Sequence, residues 1–389
     1  MVGINFEDWE QRTLDETSKI TMGQSPKGEN YTENPNDYIL VQGNADMKNG
    51  VVTPRAWTTQ VTKTAEPDDI ILSVRAPVGD VGKTNHYVVL GRGVSGIKGN
   101  EFIFQILLKM KQNNFWSSVS TGSTFESINS NDLKNAKIIV PIMEEQIKIG
   151  NFLKQLDRTI ALHQDKLDKL KQLKKGYLQA MFPQKGEQIP SLRFAHFSSD
   201  WEQRNLGELV NRITRKNKNL ESTLPLTISA QEGLIDQNDF FNKQVASRDV
   251  SGYYLIKNGD FAYNKSYSNG YPWGAIKRLD RYNMGVLSTL YIAFTPTEVN
   301  SDFLVSYYDT TGWHKEVSKH AAEGARNHGL LNIAASDFFK TELFIPSSNK
   351  EQEEMGIFFK KLDYSINLQN DKIEKLKKIK KIYLKKMFV

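Results

Sequence analysis

Three stretches of the chain carry residues at spacings that chemistry uses. PVGDVGKT at 77–84 ends in Gly82, Lys83 and Thr84, as does a phosphate-binding loop whose backbone N–H groups and lysine cradle phosphates. The first glycine of that pattern belongs five residues before Gly82, where Pro77 stands, and proline has no N–H to offer. A surface loop presenting Arg75 and Lys83 to a polyanion is the reading retained. GRGVSG at 91–96 follows the strand-like YVVL at 87–90 and has the glycine spacing of a dinucleotide turn. The ribose-binding carboxylate about 20 residues on is missing, since nothing acidic lies between Glu101 and Glu126. This reads as a glycine-rich turn. His314, His320 and His328 are 6 and 8 residues apart, which does not put two ligands on adjacent turns of one helix as zinc enzymes do. Asp68, Asp69 and Glu101 suggest a metal nuclease, but Asp69 has Asp260 as its counterpart in a matching turn. With no serine elbow and no carboxylate pair that stands out from turn residues, the expectation is no catalytic residue, no metal and no cofactor.

Two polar and aromatic loops offer a different chemistry. KSYSNGYPWG at 265–274 interleaves Lys265, Tyr267, Asn269, Tyr271 and Trp273, and EGARNHG at 323–329 sets Arg326, Asn327 and His328 side by side. Arginine grips guanine edges bidentately and asparagine does so with adenine, so a loop holding both carries sequence information. Earlier in the chain Ser73, Arg75, Lys83, Arg92 and the loop TGSTFES, with Ser123 and Thr124, occupy corresponding places. These residues are the expected DNA contacts.

The elements that position them come in duplicate. Residues 145–182 return 206 positions later at 351–388, with 20 of 38 positions identical, and WEQRTL at 9–14 returns as WEQRNL at 201–206. Each half is a head followed by one long helix, and the heads have mostly diverged between matched ends. In the first helix Leu153, Leu156, Ile160, Leu167 and Leu170 lie on a seam that steps by 3 and 4; in the second, Phe359, Leu362, Ile366, Ile373 and Leu376 lie on its match, the pattern of a coiled coil. Matched polar interruptions at His163 and Gln369, and at Lys174 and Lys380, favour pairing of the helices with each other. Two like units pack most simply about a pseudo-twofold axis, which predicts antiparallel helices, each about 57 Å long at 1.5 Å per residue, with a head near either end. The heads read as mixed α/β domains, with a helix at 100–110 matched at 301–311, and a short turn or helix leading into a strand that ends at proline at 127–141 and 332–346.

Charge agrees with this division. Residues 144–182 hold 8 Lys and Arg against 5 Asp and Glu, and residues 347–389 hold 11 against 6; the helices thus carry a net +8 and the rest of the chain −2 of the formal +6. Any nucleic-acid contact by the heads must therefore be a local patch. With 39% hydrophobic and 25% charged residues the composition is that of a globular protein. The absence of cysteine excludes thiol catalysis, disulfides and cysteine zinc sites, and the absence of a long apolar run or signal peptide leads us to expect a cytoplasmic protein with no membrane partner.

In the order and duplication of these motifs, PDDIILSVRAPVGDVG, GRGVSG, GSTFESI, LKKGYLQAMF, DWEQRNLGEL, NGDFAYNKS and EQEEMGIFFKKLD, the chain resembles the specificity subunit of a type I restriction-modification system. The resemblance implies a target-recognition domain at 1–143, a central spacer helix at 144–182, a linker at 183–199, a second target-recognition domain at 200–346 and a C-terminal spacer helix at 347–389. It implies a subunit that is not itself an enzyme, in which each head reads one half of a bipartite, asymmetric double-stranded DNA target. The helix pair sets the gap and docks two methyltransferase subunits, and ATP-dependent restriction subunits join the complex. The first unit begins eight residues before Trp9, whereas LRFAHFSSD leads to Trp201, so a weaker closure of the first unit is expected. Two other readings stay open: a coiled-coil adaptor between proteins, and a nucleotide- or metal-dependent nucleic-acid enzyme.

Overall fold

In the computed structural model, residues 9–122, 126–184, 186–266, 270–320, 326–327, 330–331 and 333–388 are described. They form two compact units: Met1–Asp165 with Asp371–Val389, and Lys166–Asn370. The division runs through both long helices, so each unit owns one head and a piece of each helix. Among the described residues, no helix is long and apolar enough to cross a membrane.

Both heads are mixed α/β and are built on the same four strands. In the first, β1 (Lys19–Met22), β2 (Ile70–Ser73), β3 (Val81–Lys83) and β4 (Val94–Lys98) stand in the order β1-β4-β2-β3. In the second, β5 (Val210–Arg212), β6 (Phe261–Asn264), β7 (Ala275–Arg278) and β8 (Ile292–Pro296) repeat it as β5-β8-β6-β7. The first sheet continues beyond β3 with Val51–Val52 and Met47–Lys48. The strands β2 and β6 are central and buried on both faces, which is why IILS and FAYN read as unbroken apolar runs. The repeated WEQR segments are strands as well: Glu10–Thr13 pairs antiparallel with Lys137–Val140, and Trp201–Asn205 with Glu342–Pro346.

Each sheet is covered by a helix, α1 (Glu101–Gln112) in the first head and α3 (Ser301–Tyr308) in the second. Asn100 and Asn300 cap them by accepting from the N–H of Ile103 and Phe303, satisfying donors that the first turn leaves open. Residues 102–107 of α1 are all buried, which a helix tolerates only between two packed surfaces. The second surface is a long helix, α2 (Met143–Ala180) on the first head and α4 (Asn349–Met387) on the second. The crossings are close. A Cβ added to Gly150 would lie 2.8 Å from the backbone N of Phe102, and one added to Gly356 would lie 2.7 Å from that of Phe303.

Within each unit the two long helices run antiparallel and in contact. In the first, Phe152 meets Tyr383 edge to face at 4.9 Å and Lys380 Nζ lies 2.6 Å from Asp157 Oδ1. In the second, Tyr177 meets Phe358 at 5.0 Å and Lys174 Nζ lies 2.6 Å from Asp363 Oδ1. The same two contacts are thus made twice with the helices exchanging roles. Every seam position named above is buried or half-buried.

Each head's core is completed by the end of the other repeat's helix. Phe388 stacks on Phe102 at 4.9 Å, and its carbonyl accepts from Lys109 Nζ at 2.6 Å. Phe182 meets Phe303 at 5.6 Å and Phe359 at 5.9 Å. The stretch expected as a linker is tied down rather than free. Arg193 makes a bidentate pair with the fully buried Glu351, at 2.6 and 2.7 Å, and Phe194 packs edge-on to Phe358.

Candidate nucleic-acid interface

The turn after the central strand organises the surface of each head. In the first, Val74 stands just past β2; its N–H donates to Gly93 O and its carbonyl accepts from Ile128 N–H, both at 2.9 Å. One buried residue thereby joins three segments far apart in sequence: the β2–β3 turn with exposed Arg75, the 91–93 turn with exposed Arg92, and the loop that reaches Ser127, which bridges Arg75. Arg92 N–H also donates to Ser25 Oγ at 3.1 Å. The glycines of GRGVSG serve this packing. A Cβ on Gly93 would lie 2.0 Å from Gln42 O, and one on Gly23 2.1 Å from Gly91 O, so backbone approaches backbone where a nucleotide would have to sit.

In the second head the same position, just past β6, is Lys265. Its carbonyl accepts from Leu331 N–H at 3.0 Å and its half-buried ammonium donates to Ile333 O at 3.3 Å. This brings Lys265 beside Leu330–Leu331, which pairs antiparallel with Arg326–Asn327. A cavity of about 210 Å³ opens at the junction, lined among others by Arg212, Lys265, Thr289, Leu290 and Ile333.

Two of the expected contacts are spent inside the head. Ser73 is fully buried, and its hydroxyl donates to the carbonyls of Arg75 and Pro77, both at 2.9 Å; it braces the turn instead of facing outward. Lys83 points to Glu101 at 2.8 Å, and Lys154 approaches the same carboxylate at 3.8 Å. The second head repeats this arrangement with Arg278 and Lys360 on Asp302, at 2.8 and 3.0 Å. Lys83 is therefore a strut between sheet, α1 and α2, because a lysine on β3 facing the helix finds its counter-ion there before it reaches solvent. Trp273 is partly committed too: half-buried against the second core, it lends its carbonyl to Tyr263 OH at 2.8 Å. Tyr271 is half-buried, and Arg75 and Arg92 are exposed. Ser123, Thr124, Tyr267, Asn269 and His328 lie outside the described residues. Asp69 and Asp260 each accept from the N–H three residues before, at 2.8 and 2.7 Å, which makes both of them turn residues. His314 and His320 sit on the helix Gly312–His320, and among the described residues no three His, Asp or Glu side chains form a metal site.

Residues 6–172 match the family model of the type I restriction modification DNA specificity domain. Over 182 residues the chain is 34% identical to a protein of Methanocaldococcus jannaschii with the provisional name type I restriction enzyme MjaX specificity subunit. The first half of the chain is thus similar to type I specificity subunits. That alignment covers 45% of this chain and 42% of the relative, so the match spans about two fifths of the relative's length. The crystal structure of the type I restriction-modification S subunit from M. genitalium shares the fold, with a TM-score of 0.67 over 100% of this chain and 98% of that one at 16% identity.

Two surface residues escaped the sequence reading. Arg212 ends β5, is exposed, and has no ion pair among the described residues; it opens the basic run RITRKNK, the signal that marked it. The neighbouring cations of that run are occupied, Arg215 with Leu255 O and Asp260, and Lys216 with Gly252 O and the face of Tyr254. Leu290, at 65% exposure, gave no signal, since a leucine between two strands reads as core.

Proposed function

We propose that the chain is a non-catalytic, sequence-specific DNA-recognition subunit of a type I restriction-modification complex, its heads at 1–143 and 200–346 each reading one half of a bipartite, asymmetric double-stranded target. One observation carries this reading: the two heads share a frame down to equivalent ion pairs, yet at the place where their loops converge the exposed side chains differ. Duplicated enzymes keep the chemistry of their sites, whereas duplicated readers of different half-sites keep the scaffold and vary the reading surface. The helix pair is assigned the spacing of the half-sites, on the scale of one to two turns of DNA at about 34 Å each, and the docking of two methyltransferase subunits, with ATP-dependent restriction subunits joining them. The heads carry little net charge, so the helices and partner subunits supply much of the phosphate neutralisation.

Methylation sequencing of cells with and without this chain, beside its methyltransferase, tests the reading. The expected outcome is a modified motif of two unlike half-sites with a constant gap; modification of one uninterrupted motif would sink it. Within that motif, Arg326→Ala or Asn327→Ala should relax one half-site by about 1–3 kcal/mol of base discrimination and leave the amount of bound methyltransferase unchanged.

A further inference from the structure

At the loop junction the two heads differ in character at matched strand positions. In the first head Ile20 and Val74 are apolar and the 91–93 turn carries the exposed cation Arg92. In the second, the positions that follow from the matched strands are Arg212 and Lys265, both cations, and the tip of the 288–291 turn is the exposed Leu290. That turn is held firmly: Tyr291 N–H donates to Ser288 O at 3.2 Å, and Tyr291 OH lies 3.2 Å from Thr227 Oγ1. A lone exposed leucine is ordinary on a protein surface. A leucine on a braced turn, at the rim of a cavity lined by Arg212 and Lys265, is not isolated in that sense, because those cations face the polyanion that would cover it.

We infer that Leu290 is a base-reading residue of the second head, packing on the C5-methyl of a thymine in the major groove while Arg212 and Lys265 hold flanking phosphates. This rests on the DNA-recognition reading above and deepens it. Apolar contact with the thymine methyl is the one base-edge interaction available to a leucine, and the adjacent cations supply affinity without sequence information.

The test uses the full chain assembled with its methyltransferase subunits on the target found by methylation sequencing. Each thymine of the second half-site is replaced in turn by deoxyuridine, which removes only the methyl. For the wild type, one position should lose about fourfold in affinity, the worth of one buried methyl group; Leu290→Ala should abolish that sensitivity. Arg212→Gln should weaken binding to all sequences alike and reduce the salt slope by about one. The inference is overturned if no deoxyuridine position matters to the wild type, if Leu290→Ala keeps the same sensitivity, if the half-site holds no thymine, or if Leu290→Ala reduces methyltransferase assembly instead of DNA binding. In each of these cases a wild-type complex that still binds a bipartite target leaves the recognition reading standing; a wild type that binds no DNA removes both.

Discussion

The two heads are an internal comparison that evolution has already run. Their frames keep function while swapping residue identity: Lys83, Glu101 and Lys154 in one become Arg278, Asp302 and Lys360 in the other, with the sign of every charge retained. The junction of the loops does the reverse: the strand register puts Arg212 where the first head has Ile20, Lys265 where it has Val74 and Leu290 where it has Gly93. A buried or half-buried ion pair constrains both partners, since removing one strands the other's charge. An exposed side chain at a turn tip has no such partner within the chain and is free to follow whatever it reads. Where the copies agree in chemistry the residues hold the fold; where they disagree they sit at the loop junction.

The largest expected effect tests the shared helical frame. Leu170→Asp or Leu376→Asp puts an unpaired carboxylate into a half-buried seam at a cost of several kcal/mol, and either should abolish cooperative thermal unfolding and assembly; an intact complex from either variant would show that the seam is not where the helices meet. The contrast between frame and surface is sharpened next by two cations ten positions or fewer apart. Lys83→Met should lower stability by about 3 kcal/mol by leaving Glu101 with only the more distant Lys154, read by chemical denaturation. Arg75→Ala should leave stability within about 0.5 kcal/mol and weaken DNA binding instead. A similar loss of stability from both would erase the distinction.

Gly150→Ala and Gly356→Ala probe the crossings of long helix and head helix. Each should cost about 1–3 kcal/mol through forced backbone displacement, and the two losses should agree closely; a tolerated alanine in one copy would break the equivalence of the frames. The smallest effect is in acid, at the helix contact of the second unit. Burial alone would raise the Asp309 carboxyl, but Lys277 and Lys174 outweigh it and hold its pKa below the ordinary value. Its contribution to stability is therefore whole above the unfolded value near about 3.9 and is lost as the pH falls through the lower folded value. Asp363, which shares Lys174 with Asp309, moves the other way, burial being the main cause. Asp309→Asn should flatten the acid limb of a pH–stability curve measured by chemical denaturation; an unchanged limb would remove this contribution.

Much of this architecture could be read without coordinates. The 206-residue repeat, the echo of the two WEQR segments, the seam along both long helices and the helix after Asn100 are written in local patterns that need no distant partner. The candidate site was legible only in part. Loops 265–274 and 323–329 stand out by their composition, but nothing local says that Lys265 and Leu331 share a hydrogen bond. Ser73 and Lys83 were named as surface residues because a polar side chain beside a loop reads as exposed; burial of the hydroxyl and the ion pair with Glu101 come from elements many residues away.

Sequence alone determined that there are two copies of one frame, that each carries a long helix with a pairing face, and that the heads between them differ. Which copy completes which head was beyond it, because the two MF endings are identical and either could fill either core. Tertiary structure decided that Phe388 packs on Phe102 and Phe182 on Phe303. The physical reason is that equal local sequences have equal local energies, so only the antiparallel packing of the helices, summed over many long-range contacts, separates one closure from the other.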